Sequence, residues 1–437
     1  PLYSSAASDV YKRQALKRTD SAREVYQRVL ETAIDIDDSA RESEALNNLG
    51  NLEYNYGDMA VAAQYFELAY ELELSTGDGR GTIVPATNVA LARSYLGQYS
   101  DAAEILLEAL DRCETSGYMD LAGMVLCTLG QVRLSQGRTN ESARIYRKAL
   151  ALGQGLSLKQ RDDASYGLAR ALATSGKADS AAAVLAEALD RGPLSGFEPG
   201  MGQYLSKCLR RLGRKDEALV RAKAAVDAAE RTESLENRFL TSLELSAAYR
   251  DTGDLSLSRD WYLRSVKTLE DFRLSTGALE WREAHGRIRD LVDGGRVLLE
   301  YPPDDSFEKR AAALFDILQR FKARTLAERM AAHGQSFDEN KAERPVHTIR
   351  LSTLKEEVLE PGDLFLDFAV GDSVTFLFAV DSRSSRLVEL PGRGSMLSEK
   401  ISFFLEGIGR PPGSEGGSGI SAEETARIGG SVYRLLL

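Results

Sequence analysis

Cysteine and histidine are scarce in this chain, and their scarcity excludes several classes of protein. The 437 residues contain only three cysteines and three histidines. Cys113, Cys127 and Cys208 are too few for a disulfide framework and too scattered for a CxxC metal site. A disulfide-stapled secreted domain and a His-rich metalloenzyme are therefore excluded, and we expect neither a bound metal nor a cofactor.

Long apolar runs and an excess of basic residues are also lacking. No run approaches the roughly 20 apolar residues that a membrane-spanning helix needs. Lys and Arg number 55 against 66 Asp and Glu, which gives a net charge of −11. An acidic chain is a poor candidate for nucleic-acid binding. We therefore expect an intracellular, cytoplasmic protein that binds neither membranes nor nucleic acids.

The two ends of the sequence differ from an ordinary domain. Residues 1–14 (PLYSSAASDVYKRQ) are similar to the leader that arises when sequencing-adapter DNA is translated, and we expect them to be non-native. The final residues, SVYRLLL, lie within an amphipathic pattern that carries no helix stop signal. These features predict a fragment of a longer protein.

An internal repeat organises more than half of the chain. A glycine recurs at spacings of 40, 40, 39, 37 and 40 residues, at Gly57, Gly97, Gly137, Gly176, Gly213 and Gly253. Large residues at helical spacing precede each glycine, and a small–large–small pattern such as Ala62, Phe66 and Ala69 follows it. The glycine suits the left-handed end of a helix, and small residues let two helices approach closely. Each copy therefore predicts a helix–turn–helix unit, and stacked units predict a solenoid.

This pattern resembles the tetratricopeptide repeat (TPR) family over roughly Ala22–Leu269, although each copy is degenerate and the period exceeds the 34 residues of the standard repeat. The resemblance implies that the first helix of each pair lines a concave groove for a partner peptide. Asn47, Asn51 and Asn55 lie four residues apart on one such helix, where amides could hold a peptide backbone. The alternative is a solvated polar face.

Basic residues follow at the corresponding positions of later repeats. A partner segment that carries Asp or Glu would match such a stripe. The alternative is a set of ordinary helix charges that neighbours such as Asp216 and Glu217 balance. The basic candidates are Arg170, Lys207, Arg210, Arg211 and Arg250.

Beyond Leu269 the repeat is lost and the pattern changes twice. Asp271–Leu299 and Ser306–Ala332 have helical patterns, with consecutive prolines between them. After a polar stretch that ends at Pro345, a short helix and three strands are predicted at Leu364–Val370, Val374–Val380 and Arg386–Leu390, with a hairpin turn at Gly371-Asp372-Ser373. Helix Met396–Ile408, a flexible GSEGGSG linker and a helix from Ser421 complete the pattern.

The segment Ala311–Leu437 is similar to the start of the CHAT domain, a caspase-like module found after TPR arrays. The joining helix of that family carries a Lys-Ala-Arg-x-Leu core, which here is Lys322-Ala323-Arg324-Thr325-Leu326, and the hairpin of LEPGDLFLDFAVGDSVTFLFAV follows it. The fold class predicted is mostly α, with a TPR solenoid at 15–269, linker helices at 270–344 and a partial α/β domain at 345–437.

The resemblance implies a cysteine peptidase whose catalytic His-Gly and Ala-Cys segments would lie beyond Leu437. His285 and His333 are also followed by glycine, but they lie in helical patterns ahead of the sheet, and the three cysteines suit buried apolar roles. Asp367 interrupts the first strand, as a buried structural carboxylate or as a pocket residue. We therefore expect an inactive scaffold that binds a partner and regulates a caspase-like peptidase; the alternative is a non-enzymatic adaptor with a small sensor domain.

Overall fold

The computed structural model describes residues 21–56, 59–192, 196–232, 234–275, 288–332, 350–361, 363, 365–371 and 373–391. Helices account for most of these residues. The helices of the repeats are α1 (21–35), α2 (Ser39–Tyr56), α3 (Met59–Thr76), α4 (Ile83–Tyr95), α5 (Tyr99–Ser116), α6 (Met119–Ser135), α7 (Thr139–Leu150), α8 (Leu158–Thr174), α9 (Ala178–Asp190), α10 (Glu198–Arg211), α11 (Lys215–Glu230), α12 (Leu235–Thr252) and α13 (Leu255–Ser275).

The turn glycines separate the helices of each pair, as the repeat predicts. Gly97, Gly137, Gly176, Gly213 and Gly253 all adopt positive φ angles, of 80°, 75°, 82°, 76° and 92° respectively. Only glycine enters this left-handed region without a steric cost, so each of these positions ends one helix and permits the next. Gly57 lies outside the described residues.

The small–large–small pattern of the second helices forms the contact between helices. Phe66, Leu106, Tyr146 and Leu185 are buried, and so are the small residues on either side of each of them. The closest fit surrounds Tyr146, since a Cβ atom added at Gly130 or at Gly167 would collide with its ring. The hydroxyl of Ser142 donates to the carbonyl of Gly130 at 2.8 Å, which satisfies a polar group inside this contact. The repeat fold predicted from the sequence is therefore confirmed.

The described residues divide into two compact units. The first unit contains the repeats up to Gly253, together with the end of α13 from Lys267. The second unit contains Asp254–Val266 and the described residues from Ile288 onward. The helix α13 therefore contributes residues to both units.

The second unit combines helices with a small sheet. Its further helices are α14 (Ile288–Gly294), α15 (Arg296–Glu300) and α16 (Phe307–Ala332), and a short helical segment covers Leu351–Thr353 and Leu354–Val358. The buried hydroxyl of Tyr262 donates to the carbonyl of Leu291 at 3.0 Å, which fixes the start of α13 against α14. Phe315 of α16 packs edge-on against Phe378, with ring centroids 5.2 Å apart.

The three predicted strands are present and form an antiparallel sheet in the order β1-β2-β3. Their bounds are β1 (Phe365–Val370), β2 (Val374–Val380) and β3 (Ser385–Pro391), so β2 matches its prediction and β3 extends one residue further at each end. Phe365 pairs with Val380, and Val374 pairs with Pro391. Asp367 accepts a hydrogen bond from the Gln319 amide at 2.7 Å, which gives this carboxylate a structural contact.

The helical patterns predicted after the repeats are confirmed in part. Helix α16 begins one residue after the predicted start of Ser306–Ala332 and ends where predicted. The pattern Asp271–Leu299 contains the end of α13, the whole of α14 and most of α15, so it is not one helix. Several predictions lie outside the described residues: the leader 1–14, the histidines, the boundary at 333–344, the helix 396–408, the GSEGGSG linker and the helix from Ser421.

Candidate partner-binding face

The first helices of successive repeats lie side by side. Contacts join α4 to α6, α6 to α8, α8 to α10 and α10 to α12. We call the surface that α2, α4, α6, α8, α10 and α12 form the first-helix face. The residues predicted to bind a partner are distributed along it, because they were chosen by their distance from the turn glycines.

At the α2 end, the predicted asparagines are used in different ways. Asn47 is half-buried, donates to the carbonyl of Ser43 at 3.3 Å, and accepts a hydrogen bond from Asn88 of α4 at 3.1 Å. Exposed Asn55 donates to the carbonyl of Asn51 at 2.8 Å. The Asn51 side chain is exposed and has no hydrogen-bond partner among the described residues. Asn51 is therefore the amide of the three best placed to bind a partner.

Further along the face, aromatic rings and cations form a cluster that we call the aromatic–basic patch. Tyr166 of α8 packs edge-on against Tyr204 of α10 at 5.9 Å between centroids, and it lies 6.1 Å from the ring of Phe197. The Arg170 guanidinium lies 5.7 Å from the centroid of Tyr166, within range of a cation–π interaction. Lys207 and Arg211 follow Tyr204 by three and seven residues, on the same side of α10. The patch comprises Tyr166, Arg170, Phe197, Tyr204, Lys207 and Arg211.

The charge of this patch is not balanced by ion pairs. In the part of the chain that the structure describes, Arg170, Lys207 and Arg211 form no salt bridge within 4.0 Å. Two carboxylates nearby are buried: burial raises the pKa of Asp163 and of Glu244, while Arg170 opposes the rise at Asp163 and Lys207 opposes it at Glu244. The patch is therefore positive in a protein of net charge −11.

The neighbouring Arg210 has a structural role. Its guanidinium bonds to Asp251 at 2.7 Å and to the buried Glu244 of α12 at 3.3 Å, and Glu244 also accepts from the Ser206 hydroxyl at 2.8 Å. Burial raises the pKa of Glu244, against the opposing effect of Arg210. Burial alone would lower the pKa of Arg210, but Glu244 and Asp251 together raise it. Arg210 therefore joins α10 to α12, and half-buried Arg250 is also engaged within the chain.

The cysteines are buried, as predicted, and their thiols are poor nucleophiles. Burial raises the pKa of Cys208 to about 11 and raises the pKa values of Cys113 and Cys127 above their ordinary range. The Cys127 thiol donates to the carbonyl of Gln160 at 3.6 Å. Since the thiolate is the reactive form, these residues are unsuited to nucleophilic catalysis.

The aromatic members of the patch were missed at the level of sequence. Only amides and cations were considered when positions were counted from the turn glycines, yet Tyr166 precedes Gly176 by ten residues and Tyr204 precedes Gly213 by nine. Tyrosines that lie within one position of each other, counted from the turn glycines of adjacent repeats, were a usable signal. Within the described residues, no helix has the length and apolar character to cross a membrane, and no group of three or more His, Cys, Asp or Glu side chains could hold a metal.

Comparisons with known proteins support the repeats. Residues 13–78 and 127–195 match the model of the tetratricopeptide repeat family. No curated protein matches the chain. Together, the family match and the observed geometry identify tetratricopeptide repeats in the chain.

Several solved structures are similar at low identity. YrrB, described as a TPR protein with an unusual peptide-binding site, is 18% identical and has a TM-score of 0.33; the match covers 49% of this chain and 96% of that one. BtubC (BKLC) from P. vanneervenii is 15% identical with a TM-score of 0.35, covering 57% and 90%. A Podosopora anserina protein, described as a putative kinesin light chain with nearly identical TPR-like repeats, is 16% identical to this chain and has a TM-score of 0.37. The match covers 43% of this chain and 94% of that one.

Proposed function

Because the chain carries tetratricopeptide repeats, we propose that it is a protein–protein interaction scaffold whose first-helix face binds an acidic segment of a partner protein. The observation that carries the proposal is the aromatic–basic patch, in which unpaired cations adjoin half-buried aromatic rings on α8 and α10. Carboxylates of the partner would pair with Lys207 and Arg211, and an apolar side chain would contact Tyr166 and Tyr204. The exposed Asn51 amide would hold backbone further along the face.

Charge complementarity favours an acidic partner over a basic or neutral one. The net negative charge of the chain repels such a partner weakly, and the unpaired cations of the patch attract it. Aromatic and arginine side chains that are already packed together lose little conformational freedom on binding. The patch is therefore suited to a short acidic segment that also carries an aromatic or aliphatic residue.

A labelled dodecapeptide rich in Glu with two Phe residues provides the test, with a second peptide in which Gln replaces Glu as its neutral counterpart. We expect the double variant K207E/R211E to weaken binding of the acidic peptide at least tenfold in fluorescence anisotropy. The matched control is the double variant R147E/K177E, at an exposed arginine on α7 and an exposed lysine before α9, which undergoes the same two charge reversals. Equal affinity of the parent chain for both peptides, or equal weakening by the control, would contradict the proposal.

The amide end of the face has its own test. Asn51→Ala and Arg211→Glu are both expected to release a bound partner without lowering the melting temperature by more than about 2 °C, because both side chains are exposed. Retention of full affinity in both variants would show that the partner binds elsewhere on the chain.

The finer proposal is that partner binding by the array regulates a caspase-like cysteine peptidase of the CHAT type, in the cytoplasm. It is supported by the order of elements in the second unit, where helix α16 with its Lys-Ala-Arg-x-Leu core precedes the β1–β2 hairpin and β3. The alternative proposal is a non-enzymatic signalling adaptor. The buried thiols favour an inactive chain in either case, because none of them is available as a nucleophile.

A peptidase assay on the purified chain tests this inactivity. We expect no cleavage of a fluorogenic peptide library above the rate of a triple Cys→Ser variant. Cleavage that the triple variant abolishes would establish a catalytic cysteine within these residues and overturn the scaffold assignment.

A further inference from the structure

A second surface lies on helices that the aromatic–basic patch does not use. Helices α5 and α7 both pack on α6, and a groove runs between them. It consists of two adjoining depressions, of about 830 and 440 Å3, which share Leu107 and Arg133. We call this surface the second-helix groove.

The groove has an apolar floor with an exposed leucine above it. Leu110, Leu126 and Leu129 line its inner wall and are buried. Leu107 on α5 is 47% exposed and lies at the junction of the two depressions. Half-buried Ile145 of α7 faces the same depression. The floor therefore offers apolar contact along a line rather than at a single point.

The two rims of the groove carry opposite charge. Glu104 and Glu108 stand on the α5 rim, are exposed, and form no ion pair among the described residues. The opposite rim carries four cations. Arg133 and Arg138 pair with Glu141, which also lines the groove, and Lys148 pairs with Glu114 of α5. Arg144 forms no ion pair in the described part of the chain and is therefore the cation of this rim that is left for a partner. The basic rim comprises Arg133, Arg138, Arg144 and Lys148.

We propose that the second-helix groove binds an amphipathic helix of a partner protein, with basic residues on one flank of its apolar stripe and acidic residues on the other. An apolar line between oppositely charged rims matches such a helix, whose residues at i, i+3, i+4 and i+7 share one face. The apolar stripe of the partner helix contacts Leu107 and the leucines beneath it. The basic flank of the partner faces Glu104 and Glu108, and its acidic flank faces Arg144.

This groove is separate from the aromatic–basic patch. Its residues come from α5, α6 and α7, whereas the patch residues come from α8, α10 and the segment before α10. No residue belongs to both surfaces, so one partner on each can be distinguished by substitution.

Synthetic helical peptides of 18 residues test the proposal directly. One peptide carries a Leu stripe with Lys on one flank and Glu on the other, and two more carry Lys on both flanks or Glu on both. An exchange of the two flanks is not an informative control, since the helix could bind in the reverse direction. We expect the mixed peptide to bind at least fivefold more tightly than either uniform peptide, and 1 M NaCl to reduce this difference.

Substitutions then locate the binding. Leu107→Lys is expected to weaken the mixed peptide at least tenfold, while Leu68→Lys, at a leucine of α3 that is 51% exposed, leaves its affinity unchanged. The K207E/R211E variant is also expected to bind the mixed peptide normally. Equal affinity for all three peptides, or equal losses in the two leucine variants, would overturn the proposal whether or not the acidic dodecapeptide binds the first-helix face.

Discussion

At the residue scale, neighbouring arginines on α10 have different roles because their surroundings differ. Arg210 bonds to Glu244 and Asp251 on α12, whereas Arg211 is exposed and forms no ion pair within the described residues. A cation that is already paired in a partly buried site holds neighbouring helices of the array together, whereas an unpaired exposed cation is available to a partner. The distinction depends on the helix that packs next to each side chain.

Arg210→Met is expected to destabilise the repeat array by about 3 kcal/mol at neutral pH, because it leaves a buried carboxylate without its cation. Burial already raises the pKa of Glu244, and loss of Arg210 raises it further. A raised carboxyl pKa means that stability is lost as pH rises through the folded-state pKa, so the defect is expected to shrink between pH 8 and pH 5. Urea denaturation of the variant and the parent chain at several pH values between 5 and 8 measures this loss of unfolding free energy.

The control is the double variant R210M/E244Q, in which the buried charge is absent. Its free energy of unfolding is expected to depend less on pH between pH 5 and pH 8 than that of R210M. A defect in R210M that is independent of pH would show that Glu244 does not titrate in this range and that lost packing causes the instability.

The thiols provide a second prediction at this scale. At pH 8 the native chain is expected to react with Ellman's reagent far more slowly than the urea-unfolded chain, because all three cysteines are buried and burial raises their pKa values. Fast reaction of one thiol in the native state would identify a site that opens locally.

At the element scale, one carboxylate fastens the β-hairpin to a helix of the second unit. The Asp293 side chain of α14 accepts from the backbone N–H groups of Ser373 and Val374, at 3.1 and 3.2 Å. A Cβ atom added at Gly371 would collide with the Asp293 carboxylate, so only glycine fits where the turn approaches this side chain most closely. The helices after the repeats therefore form one unit with the strands.

Asp293→Ala is expected to destabilise the second unit by about 1–2 kcal/mol, because two backbone donors lose their acceptor. Hydrogen exchange at the amides of Ser373 and Val374 should accelerate together with the loss of stability. Asp293→Asn is the matched control, since its amide oxygen can still accept and its effect is expected to be smaller. Equal effects of both substitutions would assign the role to charge instead of to the acceptor.

At the scale of the whole molecule, the chain contains two compact units that are stabilised by different contacts. The first is built from repeats in which each pair of helices contacts its neighbours, and the second has a core around Phe315, Phe378 and Tyr262. Such units can lose their structure at different temperatures.

Differential scanning calorimetry of the full chain is expected to show two transitions. Arg210→Met should lower the midpoint of one transition and Asp293→Ala the midpoint of the other, because Arg210 and Asp293 lie in different units. A single transition that both variants shift equally would show that the chain unfolds as one cooperative system.

Much of the fold could be predicted from the sequence because its signals are local. A turn glycine and the small–large–small pattern act within one helix pair, and alternating β-branched and aromatic residues gave β2 its bounds. The residues of the binding face could be predicted only in part. Whether Arg210 is free or paired depends on Glu244, 34 residues away, and the pairing of Tyr166 with Tyr204 spans two repeats.

The sequence by itself determined the repeat, its turns and the order of the helices and strands, since each depends on residues that are close along the chain. Only the tertiary structure decided which charges are compensated, which aromatic rings meet and which helices belong with the sheet. These properties arise from contacts between distant residues, such as Asp293 with Val374 and Gln319 with Asp367. The partner surfaces proposed on the first-helix face and in the second-helix groove likewise depend on contacts between repeats, such as that of Tyr166 with Tyr204.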